Sequence, residues 1–362
     1  MGISSETGTL ARELLWTDAA WCLDVFKSAQ ATEDGVSFAT WMMLSINARV
    51  AYEGRKVIQS ANPNVGVPHL VPFLAENESP SVEKARHAAK LLDNTKKSIE
   101  DFQAEMQSYR SAHRIWMSGR TPWFLQGIVK ELGIATFDGH LVLATIPTQV
   151  RFVLPAGDSS AMRDAVIKLG TDLGEDLSAF HLMVGSAHQP TATLDLSSLE
   201  KVSWEDHHVN RFLPRQYETA LGDEAKMLVL LLESDLNTLV FLLSQTSSGH
   251  EGAFFRNAMV TLWHVLVSLQ TLLDTHPAAL AIRVRELLAS ENVTTFLDSR
   301  NKRIRNTFVH YVPQDLPLDA TRPLRGFVEL LNPDQDLASL SALTWRLAHA
   351  TRETIEMWRL GV

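Results

Sequence analysis

Residues 292–311 read NVTTFLDSRNKRIRNTFVHY. Val293, Phe296, Leu297, Ile304, Phe308 and Tyr311 fall on one stripe at helical spacing, which predicts a single amphipathic helix over Asn292–Tyr311. Pro313 and Pro317 follow and would end it, because proline lacks the N–H that a helix interior needs. The segments around this stretch carry the same period with more apolar surface. Asp223–Gln245 and Gly252–Thr275 are apolar on nearly all sides, as the central helices of a bundle are. Pro277–Ala289 opens with proline at a first-turn position. Leu337, Leu340, Leu343, Leu347 and Thr351 form a last stripe that runs to Trp358. Long helices with short connections predict an antiparallel helical bundle over residues 216–362.

Upstream the chain is also mostly helical. Leu10–Ala29 and Val36–Ala61 have helical apolar spacing, and Ser81–Ser118 reads as a long, polar-rich helix. Between them Asn62–Pro80 carries Pro63, Pro68, Pro72 and Pro80, which is loop chemistry. These form a helical N-terminal region over residues 1–120. The texture then changes. Ile134–Phe137 and Leu141–Ile146 are β-prone runs joined by Asp138-Gly139, a hairpin signal. Val150–Leu154 reads as a further strand, Ser159–Leu177 as a helix capped by Asp158 or Ser159, and Phe180–Val184 as another strand. Residues 121–215 are therefore expected to form a small α/β element within a mainly α protein.

Composition narrows the function classes. Apolar residues make up 45% of the 362-residue chain, enough for a full core. Its one cysteine, Cys22, excludes an intrachain disulfide framework and a cysteine-based zinc site. The Met1–Trp16 start carries Glu6, Arg12 and Glu13 and has no signal-peptide pattern, while Met227–Leu243 is broken by Glu233 and Asp235 and reads as a buried helix rather than a membrane span. A cytoplasmic protein without a membrane partner is expected. The net charge of -9 argues against non-specific coating of nucleic acid but is compatible with a local basic site. Such a site is in view where Arg300, Lys302, Arg303 and Arg305 gather beside His310.

The run Arg305-Asn306-Thr307-Phe308-Val309-His310-Tyr311 holds the chemistry. A guanidinium grips phosphodiester oxygens in a bidentate fork, and an imidazole that titrates near neutrality moves the proton of a hydroxyl. Such groups cut RNA without a metal or other cofactor, because the 2′-hydroxyl of the substrate is the nucleophile. Asn306 and His310 share a helix face, whereas Arg305 lies about 140° round the helix from His310.

This run resembles the signature of HEPN-domain ribonucleases: Arg, a polar residue, three variable residues and His, here followed by an aromatic. The resemblance covers the C-terminal part only. It implies a helical bundle with the motif on a late helix, and a homodimer whose motif helices face each other across one composite site. It also implies an endoribonuclease acting on RNA as a toxin or antiviral defence effector, in places under a regulatory or antitoxin protein. In that reading Arg305 stabilises the transition state and Asn306 orients His310 or the phosphate. His310 is general base to the 2′-hydroxyl, or general acid to the leaving oxygen. Arg300, Lys302 and Arg303 hold RNA phosphates, and Tyr311 lines the site.

The rival reading is a non-catalytic helical interaction module: an antitoxin, a scaffold or an RNA- or protein-binding bundle. The enzyme reading expects Arg305 and His310 exposed in a cleft, whereas burial or carboxylate pairing favours the module. Other chemistry is weaker. Glu205-Asp206-His207-His208 resembles a metal-dependent phosphoesterase run, but adjacent residues seldom converge on one ion. Arg256, Asn257 and His264 share a core-like helix, on which His264 reads first as a packed bundle histidine. Neither a Gly-rich phosphate loop nor a Gly-x-Ser-x-Gly elbow is present.

Overall fold

The structure is a computed structural model that describes residues 5–30, 35–60, 82–83, 85–86, 95–120, 130–152, 154–155, 159–184, 197–217, 221–277, 281–311 and 323–361. Helices α1 (Ser5–Ala29), α2 (Gly35–Ser60) and α3 (Thr95–Arg120) come first, followed by strands β1 (Leu132–Phe137) and β2 (His140–Ala144). Helices α4 (Thr145–Arg151) and α5 (Ser159–Val184) lead to strand β3 (Val202–His207). The C-terminal helices are α6 (Asp223–Asn237), α7 (Glu251–Thr275), α8 (Ile282–Leu288), α9 (Glu291–Phe296), α10 (Ser299–His310), α11 (Pro323–Leu331) and α12 (Leu337–Leu360). The chain is mainly α with a small antiparallel sheet in the order β2-β1-β3.

The hairpin forms where Asp-Gly predicts it. Asp138 and Gly139 have φ of 49° and 84°, the positive pair that turns a right-twisted hairpin. Strand β1 is buried between its neighbours, whereas β3 is exposed along most of its length. On the other edge α6 covers β2: Asn237 Nδ2 donates to the Leu141 carbonyl at 2.8 Å and Thr238 Oγ1 to that of Val142 at 2.9 Å. At these residues α6 leaves α geometry for a π turn over Thr238–Leu242 and a 3-10 turn over Leu243–Thr246.

Several sequence expectations need correction. Val150–Leu154 is not a strand, because Val150 belongs to α4. Pro147 sits in the first turn of that helix, where a missing N–H costs nothing. Phe180–Val184 is not a strand either but the end of α5. Leu169, Leu173, Leu177 and Phe180 are all buried at helical spacing, and that stripe carries the helix onward. The expected helix Asn292–Tyr311 is two helices, α9 and α10, because the Asp298 carboxylate caps the second by accepting from Arg300 N at 2.8 Å. Helix α8 starts at Ile282 rather than Pro277, and α11 was not foreseen. Asn62–Pro80, part of Ser81–Ser118, Pro313 and Pro317 lie outside the described residues.

One apolar core runs from Leu10 through the hairpin and α6 to Trp358, and a smaller cluster packs α2 against α5 through Leu44, Ala48, Phe152, Leu169 and Leu173. Gly54, in mid-α2, permits the close approach of α1 and α5: a Cβ there would lie 2.7 Å from both Leu15 Cδ1 and Phe180 Cε2. Among the described residues one helical stretch, Asp223–Thr246, is long and apolar enough to cross a membrane, and 83% of its most apolar window is buried inside the protein. Its charged Glu233 is fully buried and accepts from Arg359 Nε at 2.7 Å and from the Tyr217 hydroxyl at 3.0 Å. Burial of a carboxylate is tolerable only with such partners.

Cys22 is fully buried on α1, and burial, reinforced by the nearby Asp18 carboxylate, pushes its thiol far above the usual range. The thiolate is the reactive form. Native protein should therefore resist a thiol reagent at pH 8 and take up one equivalent only when unfolded, as read by mass spectrometry. Rapid native labelling would contradict this packing of α1.

Candidate functional site

Helix α10 is set by its buried face. Ile304 and Phe308 are fully buried, and Phe308 meets Phe255 of α7 edge-on with ring centroids 5.9 Å apart. Further back along the chain Phe296 of α9 meets Trp263 at 5.8 Å. As α7 advances from 255 to 263 its partners retreat from 308 to 296, so α7 and the α9–α10 segment run in opposite directions. Arg305, three residues before Phe308, reaches along α7 to His264.

Arg305 is only 7% exposed, contrary to the expectation of an open guanidinium. Its Nη2 hydrogen-bonds Nε2 of His264, and its Nη1 donates to Asn306 Oδ1 at 3.2 Å. A guanidinium has donors and no lone pair to offer, so the imidazole nitrogen accepts. Asn306 is exposed, and the half-buried His310 lies one turn further along the same face. The His310 side chain is 41% exposed, and its Nδ1 lies 3.1 Å from Oε2 of the buried Glu53 on α2. The other Glu53 oxygen accepts from Arg86 Nε at 3.0 Å. Across α7, α10 and α2 the groups thus run imidazole, guanidinium, carboxamide, imidazole, carboxylate.

The remaining motif residues divide. Lys302 and Arg303 are exposed on α10. Arg300 is held by carboxylates, with Nε 3.0 Å from Asp298 Oδ1 and Nη1 against Asp334, and these partners raise its already high pKa. Tyr311 does not line the surface: it is 1% exposed and its hydroxyl donates to Asp18 Oδ2 at 2.7 Å. Burial, reinforced by Asp18, pushes that phenol well above its ordinary range, so it keeps its proton. Tyr311 adopts the left-handed conformation at the C-cap of α10, with φ 52°, and this turns its ring inward.

Beneath the surface lies a buried polar knot. Arg49 of α2 donates from Nη1 to the Phe308 carbonyl at 2.7 Å and to the Tyr311 hydroxyl at 2.8 Å. Its Nη2 reaches Asp18 Oδ2 at 3.0 Å and Asn257 Oδ1 at 2.7 Å. Arg256 closes on the other Asp18 oxygen at 2.5 Å. The knot therefore binds α1, α2, α7 and the end of α10.

Sequence reading did not single out Glu53, Arg49 or Asp18, since single charges on apolar helices look solvated. It weighed His264 but not as a partner of Arg305. In the Glu205–His208 run, His207 lies 3.6 Å from Glu205 and His208 3.9 Å from Glu131, and among the described residues no group of three or more His, Cys, Asp or Glu stands where it could hold a metal ion. Comparison of the chain with protein-family models, characterised proteins and solved structures gives no match.

Substituting Arg49 by Met would leave a buried carboxylate, a carbonyl and a carboxamide short of their donor. Breaking a buried pair on one side typically costs about 3–5 kcal/mol. Urea unfolding of Arg49→Met should show a loss of that order; a loss under about 1 kcal/mol would mean that the knot is dispensable.

Proposed function

We propose that the chain is a metal-independent endoribonuclease of HEPN type. The observation that carries this reading is the half-exposed imidazole of His310 one turn from Asn306, whose Oδ1 accepts from the guanidinium of Arg305. In the proposed reaction the His310 imidazole takes the proton of the substrate 2′-hydroxyl. The 2′-oxygen then bonds to phosphorus, the bond from phosphorus to the 5′-oxygen breaks, and the departing oxygen takes a proton from an acid. The products are a 2′,3′-cyclic phosphate and a 5′-hydroxyl. Arg305 exchanges His264 for the non-bridging oxygens, where negative charge grows in the transition state. Asn306 orients the phosphate, and Lys302 and Arg303 hold its neighbours along the strand.

We assign the acid to His310 of a second copy, in a homodimer built on the α10 face. Light scattering at micromolar protein should then report a dimer, and a fully active monomer would exclude the shared site while leaving the chemistry intact.

Two observations favour the rival reading of an interaction module: Arg305 is buried and already engaged, and His310 is paired with the Glu53 carboxylate. The decisive experiment incubates total RNA with pure protein in EDTA and compares wild type with His310→Ala and Arg305→Lys. Wild type should cut and leave cyclic-phosphate ends. His310→Ala should lose about 10²–10⁴-fold while melting as wild type does, because its side chain is half exposed. Arg305→Lys loses the fork and should fall by about 10²-fold. If wild type leaves RNA intact, or His310→Ala cuts equally well, the module reading takes over.

A further inference from the structure

We infer that Glu53, far from the motif in sequence, is the positioning residue of His310. It holds the ring in the tautomer that leaves Nε2 bare and turned outward. The inference rests on the reading of His310 as the proton-transfer group.

A neutral imidazole carries one proton, and the nitrogen that bears it is set by the hydrogen bond at that position. Here the partner is a carboxylate, which only accepts when ionised. The 3.1 Å contact between Glu53 Oε2 and His310 Nδ1 therefore places the proton on Nδ1. Nε2 is left as the basic atom on a side chain that is 41% exposed. A carboxylate holds an imidazole by the same logic in the serine-protease triad, where it fixes tautomer and orientation and stabilises the cation formed in the reaction.

Three features indicate that the contact is built. Glu53 is 2% exposed, and its second oxygen is taken by Arg86 at 3.0 Å, so the carboxylate cannot swing away to water. Arg49, one helical turn earlier on α2, grips the Phe308 carbonyl at 2.7 Å and the Tyr311 hydroxyl at 2.8 Å, so a single face of α2 fixes both the backbone end of α10 and the ring of its last residue. Gly54 seats α2 against Leu15 and Phe180, where any Cβ would clash. An exposed surface ion pair would need none of these. The N-terminal region thereby becomes part of the site rather than a separable attachment.

The test is the ¹⁵N spectrum of the His310 ring at a pH where it is neutral, together with single-turnover RNA cleavage and melting temperature, for wild type, Glu53→Gln and Glu53→Ala. Wild type should show the proton on Nδ1. Glu53→Ala should move it to Nε2 and slow cleavage by about 10²-fold, part of the 10²–10⁴-fold that a positioned acid–base group supplies. Glu53→Gln keeps an acceptor oxygen and the side-chain shape, so it should retain the Nδ1 proton and recover part of the rate. A wild-type ring protonated on Nε2 overturns the inference, even if the alanine variant fails to fold. So does an alanine variant that folds with tautomer and rate unchanged. Expected tautomers in a protein that cuts no RNA would sink the ribonuclease reading and leave the Glu53 assignment standing. Cleavage that needs His310 but ignores Glu53 would do the reverse.

Discussion

Asp18 buries its carboxylate where no water reaches it, and the fold around it answers that cost. Arg49, Arg256 and the Tyr311 hydroxyl all converge on its two oxygens. Each donor comes from a different helix, so the carboxylate can be satisfied only when α1, α2, α7 and the end of α10 are all in place. Hydrophobic burial supplies the drive toward compactness but has little directional preference. The buried charge adds direction, since any sliding of these helices leaves an ion unpaired in a medium that penalises it heavily.

The candidate site sits on the upper side of this knot. Arg49 ends its reach at the Phe308 carbonyl and the Tyr311 ring, while Glu53, one turn on, reaches the His310 imidazole. The geometry of the surface histidine is thereby tied to the buried polar network through one rigid helix. On the other flank α7 plays the same part: Asn257 enters the knot and His264, two turns later, receives Arg305. Helix α2 thus gives Arg49 to the knot and Glu53 to the site, and α7 gives Arg256 and Asn257 to the knot and His264 to the site.

The small sheet serves the bundle by a different route. Its hairpin turns on Asp138-Gly139, its middle strand is buried, and α6 donates to β2 carbonyls through Asn237 and Thr238. The polar hydrogen bonds of an edge strand are thus joined to a helix that is buried almost all round. This is also where α6 abandons regular geometry for a π turn.

Local order was legible in the sequence wherever period and punctuation agree. The amphipathic stripe of Leu337 to Thr351, the apolar helices α6 and α7 and the Asp-Gly hairpin follow from residue spacing and turn chemistry alone, because short-range sterics and burial decide them. Where a short run is compatible with two periods the sequence misled: Val150 and Phe180 look β-prone, yet packing of the whole helix decides their state. Asp298 could have announced the break between α9 and α10, since a capping carboxylate acts within two residues. The motif itself, Arg305, Asn306 and His310, was visible as residue types at a spacing. What each does was not. Tyr311 turns inward, Arg305 is buried against His264, and His310 finds Glu53, because the partners lie tens to hundreds of residues away. A buried charge chooses its neighbours only once the chain has closed around it, and no local pattern encodes that choice.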